Sequence, residues 1–210
     1  MSVSLPSTAD PDTEVVARHT RAWVKRAVVG LNLCPFAKAP LVKGQVRFVV
    51  STARDLLALL LQLADELRHL AQADPAETET TLLIHPQVLA DFADFNQALD
   101  AVDSLVDALG LEGVLQVASF HPQYQFAGSD ADDMSNATNR SPYPTLHLLR
   151  EASIDRAVEA LPEPESIVDA NLRTLDALGT EGWAAVQAAC RIDACIVSTA
   201  PITPSPPEPP

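Results

Sequence analysis

Cysteine is scarce in this chain: three in 210 residues, Cys34, Cys190 and Cys195. Their spacing makes neither a disulfide framework nor a C-x-x-C exchange pair, so a reducing compartment, the cytoplasm, is expected. Glycine is scarce too, at seven. No G-x-G-x-x-G, P-loop or G-x-S-x-G pattern occurs, which removes support for dinucleotide-binding, P-loop and α/β-hydrolase chemistry. Aromatic residues are 5% of the chain, so the core must be built from Leu, Val, Ile and Ala. The longest apolar stretch, Leu56 to Leu63, contains Gln62 and runs into Asp65, Glu66 and Arg68, well short of a membrane span. The opening residues, Met1 to Asp12, lack a basic segment followed by an apolar one, so no secretory signal is expected. Positive charge is also lacking: Lys+Arg number 14 against Asp+Glu 28, a net charge of −14. That acidic surface repels phosphate backbones and anionic lipid, so neither nucleic acid nor membrane is expected as a partner.

With hydrophobic residues at 47% and charged at 20%, the length suits one globular domain with a real core. Residues 1–10 read as a flexible leader, 11–186 as a single α/β domain, and 187–210 as an atypical Pro-rich tail, expected to be disordered. Asp10-Pro11 predicts a helix start, with helical spacing from Val15 to Ala27 and an end near Gly30. Residues 31–41 predict an apolar loop that packs inward. An alternation follows: a strand at Val46–Val50, a helix opened by a capping box at Thr52–Asp55, a strand at Thr80–Ile84, a helix over 89–109, and a strand over 114–120. This order argues for crossover units, giving either a largely parallel sheet or a split, ferredoxin-like pairing, with flanking N- and C-terminal helices. Residues 123–143 predict a long irregular segment, which is functional or disordered. Thr145 to Leu149 predicts a fourth strand, and helices follow over 153–161 and 165–178, the last stopped by Gly179.

Four groups of residues could carry chemistry. His85 and His121 each end a strand and precede proline. If the strands are parallel neighbours, the imidazoles could share one metal ion or substrate as acid/base groups, because ligands gather beyond strand carboxyl ends. The alternative is that each histidine hydrogen-bonds its own turn. Next, Asn139-Arg140-Ser141-Pro142-Tyr143-Pro144 is stiffened by two prolines. Arg140 either receives an anion, with Ser141 and Tyr143 orienting it, or pairs with Asp130, Asp132 or Asp133 as a tether. His147 follows this run and could complete a histidine trio, although no tight ligand spacing marks a metal site. Last, Cys34 reads as a buried inert thiol, or as a soft ligand for a transition metal such as zinc if it faces His85 or His121.

Four stretches, Gly30–Ala37, Leu82–Pro86, Gln116–Gly128 and Asn139–Ser153, together resemble one bacterial family, the domain-of-unknown-function family numbered 1415. The resemblance covers roughly Glu14 to Trp183 and leaves the tail outside. It implies a shared fold, carries no activity with it, and singles out Cys34, His85, His121, Asn139, Arg140, Ser141, Tyr143 and His147. The polar residues gathered at the strand ends and on the stiff run make the expected function an enzyme acting on a small anionic substrate at a site lined by His, Arg and Asn. A non-catalytic metal-binding or redox-sensing protein and an interaction module are the alternatives.

Overall fold

The computed structural model describes residues 12–159 and 166–195. The expected leader over 1–10 and the tail beyond 195 lie outside the described residues. Helix α1 (Thr13–Trp23) is capped by Asp12, whose carboxylate accepts the Glu14 and Val15 N–H groups. The cap is thus Asp12 rather than Asp10, because its carboxylate is the one that reaches the orphan donors of the first turn. Val16, Thr20 and Trp23 form the buried stripe of α1. The helix then widens into a π-helical turn over Val24–Val29, which apolar spacing did not announce.

Helix α2 (Lys38–Lys43) interrupts the expected loop and ends at Gly44, φ 73°. Strand β1 (Val46–Val50) leads to α3 (Leu56–Gln72), capped by Asp55 Oδ1 accepting Ala58 N–H at 2.8 Å. The capping box expected from Thr52 is therefore not the device used. Strand β2 (Thr80–Ile84), α4 (Phe92–Ala108) and β3 (Leu115–Phe120) follow. A 3-10 helix (Met134–Asn139) and β4 (Thr145–Arg150) complete the core, with α5 (Glu151–Glu159) and α6 (Ser166–Cys195) beyond.

The protein is a mixed α/β fold on one four-stranded sheet of order β1-β2-β4-β3. β1 and β2 pair in parallel, as a crossover through α3 requires. β4 inserts between β2 and β3 and runs antiparallel to both. The first three strands therefore point the same way, yet only one of the three pairings is parallel. β2 and β3 run parallel with β4 inserted between them, so of the two expected pairings the sheet follows the split, ferredoxin-like one and not the largely parallel one. The reason lies in β4: a strand that follows β3 without a helical crossover returns antiparallel, and its Leu146 and Leu148 are buried, so it occupies a central position.

On one face, Leu59, Leu63, Leu67 and Leu70 of α3 and Phe95 and Val102 of α4 pack on Leu83, Leu115, Leu146 and Leu148. Leu59, Leu63 and Leu67 are wholly buried, each worth about 1.5–3 kcal/mol of apolar burial. On the other face, Val16, Trp23, Val24, Leu33, Leu175, Trp183 and Cys190 pack against Leu82 and Ile84. Gly179 (φ 64°, ψ 178°) breaks α6 where sequence expects a helix stop. Helix resumes and runs through Cys195, past residue 186, where composition placed the end of the globular unit. Buried Cys190 and Ala194 hold this extension, with Arg26 bridging Asp193 at 2.6 and 2.8 Å.

Candidate functional site

His85 and His121 end strands that point the same way, but β4 separates them. The chain just before β4 fills the space between: His85 N–H donates to Pro144 O at 3.0 Å and His121 N–H to Asn139 O at 3.1 Å. Both rings turn toward α4 and lie against Phe95, at centroid distances of 5.8 Å for His85 and 5.1 Å for His121. His85 Nδ1 contacts Val88 O at 3.0 Å, so it carries the proton, and Nε2 is buried without a partner among the described residues. His121 Nδ1 accepts Gln123 N–H at 3.0 Å, so its Nε2–H donates to Leu89 O at 3.3 Å. Burial pulls the His85 pKa down to about 4, and burial also lowers His121. Both are neutral side chains that fasten one turn.

The Asn139–Pro144 run has backbone partners of the same kind. Arg140 Nε donates to Tyr124 O at 3.1 Å and Nη2 to Ala131 O at 2.6 Å. It is a tether for the preceding loop, through carbonyls and not through Asp130, Asp132 or Asp133. Ser141 Oγ donates to Tyr143 O at 2.6 Å. Asn139 Nδ2 reaches Ser119 O at 3.1 Å. Tyr143 turns away toward α1, its hydroxyl 3.3 Å from His19 Nδ1. Asn136, to which sequence reasoning gave no role, is fully buried and bonds Phe126 N–H, Ser129 Oγ and Asp130 O. It explains why this long segment is ordered.

His147 lies on the opposite face of the sheet from His85 and His121. Register places it between Leu82 on β2 and Ala118 on β3. There it forms part of the wall of a cavity of about 590 Å³, which is the size range of small-molecule sites. The floor is the sheet face, with Val46, Thr80, Leu82, Ala118, Phe120 and Leu149; one side is the π-helical turn, with Val24 and Val28. Cys34, Pro35, Phe36 and Pro40 form the roof, and Ile154 and Ala157 of α5 the far side. Small side chains on this face, Thr80 on β2 and Ala118 on β3, leave space on either side of β4, and no described residue of α6 belongs to the wall. A second, more open trough of similar volume lies between the π-helical turn and α6, near Lys25, Arg26 and Val186.

The roof is set by local backbone. A Cβ on Gly30 would stand 2.2 Å from Arg26 O, so only glycine allows the chain to leave the π-helical turn here. Asn32 takes φ 55°, a left-handed conformation that Asn tolerates. Leu33 N–H then returns to Val28 O at 2.9 Å, and Leu33 is buried. This places Cys34 over the cavity. Burial pushes its thiol pKa up, against hydrogen bonds from Phe36 and Ala37 N–H that favour the thiolate.

Two polar groups stand out in the wall. Thr80 Oγ1 is 2.6 Å from Leu148 O and 2.7 Å from His147 Nε2. A carbonyl can only accept and a hydroxyl has one proton, so Thr80 donates to Leu148 and Nε2–H of His147 donates to Thr80. His147 Nδ1 is thereby an acceptor, and it has no protein partner among the described residues. Burial pulls the His147 pKa down to about 4. Arg150 reaches the carbonyls of Leu70, Ala73 and Thr78 through Nη2 at 2.7, 2.8 and 3.1 Å, capping the C-terminal end of α3.

Of the expected site residues, the fold brings Cys34 and His147 to one cavity, His85 and His121 to one turn, and Arg140 and Ser141 to the loop between. Among the described residues no three His, Cys, Asp or Glu side chains gather as a metal site would require, and no helix is long and apolar enough to cross a membrane. A family model described as a protein of unknown function, DUF1415, matches residues 15–185, a span that contains every residue of the cavity wall. No curated protein and no solved structure matches the chain.

Proposed function

The chain belongs to the DUF1415 family, and from that premise we propose that it binds a small, mostly apolar molecule in the cavity between the sheet, the π-helical turn and the Cys34 segment. One observation carries this reading: the cavity's volume of about 590 Å³, walled by aliphatic and aromatic side chains with few polar groups, among them His147, Cys34 and Arg150. Concave apolar sites with a few convergent polar atoms are where small ligands bind. The strand-end reading, an enzyme on a small anionic substrate at His85, His121, Arg140, Ser141 and Tyr143, has less support. It asks His85, His121, Arg140 and Ser141 to leave the backbone carbonyls they hold, and Tyr143 to leave His19. Zinc or another transition metal would start from Cys34 and His147, and among the described residues no three His, Cys, Asp or Glu side chains gather to hold it. The net charge of −14 argues against nucleic acid as the partner.

The neutral fluorescent probe N-phenyl-1-naphthylamine tests the reading. Saturable one-to-one binding to the wild type is expected, with loss of binding in Ala118→Phe, which fills the cavity from its floor. Absence of saturable binding, or binding indifferent to Ala118→Phe in a variant with wild-type melting temperature, overturns it.

A further inference from the structure

We infer that the molecule held in the cavity is uncharged and carries a hydroxyl or N–H donor on its apolar body, which it places against His147 Nδ1. The inference rests on the cavity reading above and specifies its ligand. His147 is fixed in the middle of the sheet face, between Leu82 and Ala118. Its tautomer is set by Thr80, whose single hydroxyl proton is committed to Leu148 O. Among the described residues the lone pair at Nδ1 has no partner, while Nε2–H donates to Thr80. His147 is half-buried and belongs to the cavity wall. An acceptor without a protein partner in an apolar cavity is met by water or by the ligand, so a ligand that donates to it gains over one that does not.

The rest of the wall argues against a charged ligand. Arg150, the cation at the β4 end of the wall, already commits Nη2 to three carbonyls at the end of α3. Glu79 also contributes to the wall and repels an anion. Loss of hydration would therefore weigh heavily on a carboxylate or ammonium there. A phenol or alcohol on a ring system has the needed chemistry: a donor at one point and apolar surface for Phe120, Trp23 and Leu149.

2-Naphthol and 2-methoxynaphthalene share shape and apolar area and differ in the donor. Titrations of both, followed by the amide resonances of Leu82 and Ala118, are expected to give several-fold to about tenfold tighter binding of 2-naphthol. In His147→Phe the two should bind alike. Nitrogen-15 spectra of the wild-type histidines provide a measurement that needs no variant: His147 should show a protonated Nε2 and a bare Nδ1, and Nδ1 should shift when 2-naphthol is added. Equal affinity for the two compounds in the wild type, or a proton on Nδ1, overturns the donor requirement and leaves the cavity reading standing. Failure of both compounds to bind overturns the cavity reading itself.

Discussion

His85 and His121 hold neighbouring carbonyls of a single turn, Val88 O at 3.0 Å and Leu89 O at 3.3 Å. Leu89 has φ 57°, a left-handed conformation that costs a bulky residue roughly 1–3 kcal/mol. The two imidazoles, with Phe95 against both, are what maintain it.

Because both histidines secure one strained turn, their losses should not add. His85→Ala and His121→Ala are each expected to cost about 1–3 kcal/mol. The double variant should cost clearly less than their sum, since the turn is released once. Urea unfolding of the four proteins measures the coupling, and strict additivity would sink the idea of a shared turn.

Stability should fall on mild acidification. His85 and His147 both have pKa values of about 4 in the folded chain against an ordinary 6.5. Between those values the unfolded chain binds protons that the folded chain refuses, so the folded state loses stability as pH drops through 6.5 toward 4. Above 6.5 the contribution is complete and flat. By pH 5 the loss is of order 2 kcal/mol per histidine. The Arg26-paired Asp193, held below its ordinary value of 3.8, acts only at more acid pH. Urea midpoints at pH 7.5 and pH 5 check this, with a shallower dependence expected in His147→Gln. An unchanged midpoint would contradict the burial of both imidazoles as neutral groups.

Arg140→Ala should lower the melting temperature, because the guanidinium ties Tyr124 O and Ala131 O together. A cost of about 1–3 kcal/mol is expected for the half-exposed pair of bonds. Amide exchange should quicken over 124–133 and stay slow in α3. Unchanged melting and exchange would make the tether irrelevant and return Arg140 to consideration as an anion receptor.

Gly30→Ala and Gly44→Ala should separate close approach from backbone preference. At Gly30 the added Cβ meets Arg26 O at 2.2 Å, whereas Gly44, with φ +73°, has nothing within 4 Å. Gly44→Ala should cost about 1 kcal/mol. Gly30→Ala should cost about 1–3 kcal/mol and displace the Cys34 roof. Weakened N-phenyl-1-naphthylamine binding in Gly30→Ala but not in Gly44→Ala is the expected pattern. Equal effects on binding would detach the roof from the cavity.

Local pattern alone located the strands and most of the helices, because apolar period and turn chemistry are properties of short segments. Val46–Val50 and Thr80–Ile84 are strands at those bounds, and Gly30 and Gly179 both mark changes in helical geometry. The motif residues were also legible as a group, Cys34, His85, His121, Arg140 and His147 among them. Their division into roles was not. The face on which a histidine lies depends on strand parity, and the strand beside it depends on pairing between distant segments. Only the tertiary structure put β4 between β2 and β3, because that choice rests on burying Leu146 and Leu148 between two partners that the segment's own residues do not name. The cavity arises from the same cause: Leu82, Ala118 and His147 come from three separate strands, and the space appears only once register sets the small Ala118 in one row with His147 and Leu82.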